Sequence, residues 1–219
     1  MSKVISFSLL ILTASAAYGA VKIVRTGGDA LFCDTWREER LGNQTIVIPT
    51  GKKYLALDIA SNKEYRDLEP KTDDLTGDDL QRAQQLVERL RWLDPQTTDL
   101  YLKWLNEWAG DRILEENLYD DIDDSANFAE GFECEKIQVI IQEVENEDVR
   151  YLISAPIWRQ MDVNHRAFMI VHEVIYRDAA RHGHQNSFFV AYLNALISSN
   201  SVHTMTRNEY LRVRMELGF

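Results

Sequence analysis

Long apolar runs, CxxC pairs and an excess of basic residues are all missing from this chain, and each absence closes off a class of function. The most apolar stretch, Val4 to Leu12, is too short to span a bilayer, which needs about twenty residues. No later segment approaches that length without charges. Lysine and arginine number 24 against 35 aspartates and glutamates, for a formal net charge of −11. Nucleic acid and anionic membrane surfaces both require a cationic footprint, so neither is an expected partner. The acidity reads first as a solubility device. No internal repeat, low-complexity tract or glycine-rich pocket signature is present. The acidic stretch from Asp120 to Glu133 lacks the spacing and glycine placement of a calcium loop and reads as a solvated loop.

What is present begins with an export signal. Lys3 supplies the positive region, Val4 to Leu12 the short apolar region, and Ala17-Tyr18-Gly19 small residues at the cleavage positions. The expected division is a signal peptide over 1–19 and a single domain over 20–219, periplasmic or extracellular after cleavage. That length is enough to bury a sizeable core without staples. Only two cysteines occur, Cys33 and Cys134. In an exported chain they read as one disulfide, closing a loop of about a hundred residues worth at most about 4.7 kcal/mol.

The order of elements points to an α+β fold dominated by helix. Val21 to Arg25, Ala30 to Cys33 and Thr45 to Pro49 read as short strands, with turns at Thr26-Gly27-Gly28-Asp29 and Pro49-Thr50-Gly51. Tyr54 to Ala60 fits either strand or helix. Leu80, Ala83, Leu86, Val87 and Leu90 recur at helical spacing behind a cap at Thr76 and Asp79. Asp94-Pro95 starts a second helix extending through Ile113 and Leu114. Ile137 to Gln142 and Val149 to Ser154 suit a hairpin. A C-terminal helical triplet follows: one helix from Asp162 to about His182, stopped by Gly183; one from Ser187; and one capped by Thr206 and Glu209.

The run His172-Glu173-Val174-Ile175-Tyr176 is the constellation that could carry chemistry. It is a zinc-protease signature in which tyrosine replaces the second histidine. The helix around it is apolar on most of its circumference and therefore buried, and an ionised carboxylate there is costly unless paired. Two readings use the same residues. In the first, Glu173 pairs with Arg177 at the favourable i,i+4 spacing, His172 bonds a carbonyl and Tyr176 packs inward. In the second, Glu173 and Tyr176 are catalytic, with zinc held by His172 and by His184 or His182. His182 has the sequence offset of a third zinc ligand, but ten residues of straight helix span about 15 Å. Ala179 also stands where those enzymes turn the chain at glycine. His184, beyond Gly183, is freer to fold back.

His172 to Arg177, then Gly183-His184-Gln185-Asn186-Ser187, then Tyr192 to Ser199 carry a resemblance. This arrangement is similar to a set of small exported bacterial proteins of uncharacterised function. They share a HExxYR helix, a GHxNS-like turn and a helix ending in a serine pair. Gly27-Gly28-Asp29 ahead of Cys33 matches their N-terminal pattern. The resemblance implies export and a common fold, and lends no activity. The expected function is thus a non-catalytic exported protein with a structural His/Glu/Tyr cluster and no cofactor. The alternative is a degenerate zincin-like hydrolase acting on periplasmic or extracellular peptide or cell-wall material.

Overall fold

A computed structural model describes residues 28–41, 44–118, 134–145, 148–184 and 187–219. The expected signal peptide, the strand at 21–25 and the acidic stretch at 120–133 lie outside the described residues. The fold is α+β, with helix dominating and two three-stranded sheets among the described residues.

The first sheet is built on a long hairpin. β1 (Asp29–Leu41) pairs antiparallel with β2 (Gln44–Ala56), with a register shift between Thr35 and Trp36. That bulge lies opposite Gly51 and Pro49, so Pro49-Thr50-Gly51 marks a local irregularity in one continuous strand, where the sequence suggested a chain reversal. The ambiguous segment from Tyr54 divides: β2 ends at Ala56, and α1 (Leu57–Arg66) begins immediately. β4 (Cys134–Gln138) joins the other edge of β1, and Cys33 and Cys134 face each other in register. They form the expected disulfide, with Cα atoms 4.4 Å apart, inside the usual range.

α2 (Asp79–Glu88) is capped by a reciprocal Asp78–Gln81 box, two residues beyond the expected one. α3 (Pro95–Asp111) starts on Asp94, whose side chain accepts the Thr97 N–H. It stops before Ile113 and Leu114, which lie in β3 (Arg112–Glu115), paired parallel with β6 (Asp148–Ser154). The helical spacing runs on to these residues, but the strand pairing satisfies their backbone instead. β5 (Ile140–Glu145) completes the order β3-β6-β5 and forms the expected hairpin with β6.

After the short α4 (Ala155–Gln160), α5 (Val163–Arg181) runs through the middle of the molecule. Asp162 caps it by accepting the Asn164 N–H, and Gly183, at φ +90°, ends it. Every residue from Ala167 to Tyr176 is buried, as an apolar circumference requires. Around it pack α2, α3, β2 and α6 (Phe188–Ser198). α7 (Ser201–Thr204) and α8 (Arg207–Glu216), with its Thr206–Glu209 capping box, close the chain. Arg214 of α8 docks through Asp94 (2.7 Å) and buried Asp178 (3.1 Å). Among the described residues no helix is long and apolar enough to cross a membrane.

Candidate functional site

The geometry of α5 turns its two polar residues, adjacent in sequence, toward different neighbours. Glu173 is wholly buried. Its Oε1 accepts the backbone N–H of Gly28 at 2.7 Å. The side-chain amide of Gln142, on β5, faces acceptors of Glu173, which orients its nitrogen to donate to Oε2 at 3.1 Å and to the Glu173 carbonyl at 3.2 Å. Gly28 is in turn a junction, because its own carbonyl accepts the N–H groups of Val139 (3.0 Å) and Ile140 (3.2 Å). One carboxylate thus holds the entry of β1, the passage from β4 to β5, and α5 together.

His172 points toward α1 and α6. Its Nδ1–H donates to Asp58 Oδ2 at 2.6 Å. The same oxygen accepts the side-chain amide of Asn194 at 2.8 Å, and that amide also donates to the Phe168 carbonyl at 3.0 Å. Tyr176, fully buried one turn on, lies with its ring parallel to the imidazole at 6.4 Å between centroids. His172 Nε2 is buried and has no hydrogen-bond partner among the described residues.

The electrostatics follow from this packing. Burial raises the Glu173 carboxyl to about 7, against the opposing pull of the His172 charge and the Gly28 N–H; Asp58 and Asp29 add to the rise. Burial alone would lower His172, but the Asp58 charge and its hydrogen bond outweigh it and hold the imidazole at about 9. Burial thus favours the protonated carboxyl of Glu173 while Asp58 favours the charged form of His172, in a dry interior where charges interact strongly.

The expected pairing of Glu173 with Arg177 does not form. Arg177 instead reaches Glu107 at 3.0 Å and stacks over Trp104 at 4.7 Å. Arg177 lies about 40° around the helix from Glu173, and its long side chain runs to Glu107 and Trp104 of α3. The other histidines also lie away from His172. His182, at the end of α5, donates from Nδ1 to the Asp178 carbonyl at 2.9 Å. His184 donates from Nε2 to the Gly218 carbonyl at 3.2 Å and stacks on Phe219 at 5.3 Å. His165 accepts the Ala56 N–H on Nδ1 at 3.0 Å, and burial lowers it to about 4. Among the described residues no group of three histidine, cysteine, aspartate or glutamate side chains could hold a metal ion.

No family model, curated protein or solved structure matches this chain.

The cluster's meaning rests on its own residues, and four of them were not legible from the motif. Gly28 was visible as a turn residue and as part of the Gly-Gly-Asp pattern, with nothing to link it to Glu173. Asn194 sits between Leu193 and Ala195, and a polar amide in an apolar helix is the signal that could have marked it; Asp58, in the polar α1, carried none. Gln142 carried no such mark. What this arrangement can do chemically is limited: the Glu173 oxygens and His172 Nδ1 are occupied by internal donors and acceptors.

Proposed function

We propose that this is an exported, non-catalytic protein in which the HExxY segment is a buried clasp joining the two sheets to the helical layer. One observation carries the reading: both Glu173 oxygens are engaged by Gly28 and Gln142 in a fully buried setting. A general base must instead reach a water or a substrate. Export is supported by the Lys3 to Gly19 segment and by the Cys33–Cys134 disulfide, which suits an oxidising compartment.

The degenerate hydrolase reading has one observation in its favour, the His172 Nε2, which has no hydrogen-bond partner among the described residues. Against it stands the lack of converging ligands among the described residues, since a catalytic zinc needs three protein ligands and an open position. Metal analysis of the purified mature protein separates the two. The clasp predicts substoichiometric zinc and an unfolding temperature that a chelator leaves unchanged. Stoichiometric zinc that disappears in His172→Ala would overturn it.

A further inference from the structure

On the far side of α5 from the His172–Asp58 pair, Arg177 helps line a groove of about 400 Å³, within the range of natural ligand sites. Its walls are the last turns of α3 (Glu107, Gly110, Asp111), Ile113 of β3, and Asp148, Val149 and Arg150 at the start of β6. Two features converge there. First, β3 begins at Arg112 opposite Tyr151, so Asp148, Val149 and Arg150 have β5 on one side and no strand on the other among the described residues. That leaves a short open sheet edge inside the groove, the kind of edge to which an extended peptide adds.

Second, the charge is selective. Arg177 is matched by Glu107. Asp111 and Asp148 make no ion pair within 4 Å among the described residues, and α3 ends here, presenting its negative dipole end. Arg150 makes no ion pair within 4 Å among the described residues and lies across the sheet from Glu143. Burial raises the Asp111 carboxyl, Arg177 opposes the rise, and Glu107 and Asp148 add to it. Ile113, 39% exposed, adds an apolar wall.

We propose that this groove binds an extended peptide segment carrying lysine or arginine, which adds to the open edge of β6 and sets its cationic side chain between Asp111 and Asp148. The site is separate from the buried clasp and does not depend on its role. In an extended segment, side chains two residues apart share a face, so a blocked Ala-Lys-Ala-Lys-Ala peptide is a suitable probe. Titrated into the intact protein at low salt, it should bind and shift the backbone amides of Gly110, Val149 and Arg150. The Ala-Glu-Ala-Glu-Ala counterpart should not bind. Affinity should fall at least about tenfold in Asp111→Asn/Asp148→Asn, a loss of about 1.4 kcal/mol, and on N-methylating the probe's backbone. Amide shifts confined elsewhere, no binding, or an unaltered affinity in the double variant overturns the proposal. Equal affinity for 1,5-diaminopentane overturns the strand-addition part, because that cation has no backbone to pair. The wild-type shift map needs no variant, so the test stands even if the double substitution unfolds the protein.

Discussion

The backbone N–H of Gly28 sits 2.7 Å from Glu173 Oε1, although the two residues are 145 positions apart. This bond unites the two sequence features that first stood out separately, the glycine turn before Cys33 and the HExxY helix. It also explains why a carboxylate is tolerated at a wholly buried position: hydrogen bonds from two other elements replace water.

The same contact makes Gly28 sensitive to any side chain. A Cβ there would lie 2.8 Å from Met169 Cε and 3.1 Å from Glu173 Oε1. The methionine end can swing away, but the carboxylate is fixed by its own hydrogen bonds. Gly28→Ala should therefore cost about 1–3 kcal/mol, the usual range for overpacking. Gly110, inside α3 with nothing within 4 Å of its would-be Cβ, is the control. Gly110→Ala should stabilise by about 0.5–1 kcal/mol, because alanine is the better helix former. Urea unfolding of both variants checks the pair. A neutral Gly28→Ala would mean that the clasp yields more easily than this packing implies.

The disulfide links β1 to β4 across a sequence separation of 101 residues, joining strands that meet over five paired positions. In the chain-entropy account, closing a loop of that size restricts the unfolded chain by about 4.7 kcal/mol. Cys33→Ser/Cys134→Ser should lower stability by up to that amount, and added reductant should reproduce the loss in the wild type. An unfolding midpoint indifferent to reductant would show that the bridge adds nothing to the sheet.

Local signals made α5 legible: Asp162 at its start, Gly183 at its end and an apolar circumference between them. The disulfide followed from counting. The partners of the motif were hidden because they come from α1, α6, β5 and the entry of β1, and no periodicity within one helix reports which distant side chain will meet it. The Glu173–Arg177 expectation failed for a related reason. Spacing of i,i+4 brings side chains near each other on an isolated helix, but here α3 offers Arg177 both a carboxylate and an indole face. Ile113 and Leu114 were misplaced because helical spacing is indifferent to a strand waiting beside it; β6 supplied that strand.

Two buried groups, Glu173 and His172, and the half-buried His165 shape the pH dependence of stability, and their signs differ. Glu173, raised from 4.5 to about 7 on folding, holds its proton more tightly in the folded state. Stability should therefore fall as pH rises from about 4.5 to about 7, by on the order of 3 kcal/mol. His172, raised from 6.5 to about 9, contributes fully below about 6.5 and loses its contribution as pH rises through 9. His165, lowered from 6.5 to about 4, acts oppositely: its contribution is complete above about 6.5 and is lost as pH falls through 4. Glu173 and His165 thus oppose each other between about 4.5 and 6.5, while above 6.5 the falling contributions of Glu173 and His172 reinforce each other. Glu173→Gln isolates the first of these groups. The glutamine oxygen can still accept the Gly28 N–H, and Gln142 can turn its amide oxygen toward the new amine, so the fold should hold. Urea midpoints measured from pH 4 to 10 should show the variant gaining on the wild type steadily up to pH 7 and keeping that gain above it. Two curves that stay parallel between pH 4.5 and 7 would mean that Glu173 titrates as an ordinary carboxylate, and the account of a dry, hydrogen-bonded clasp would have to be abandoned.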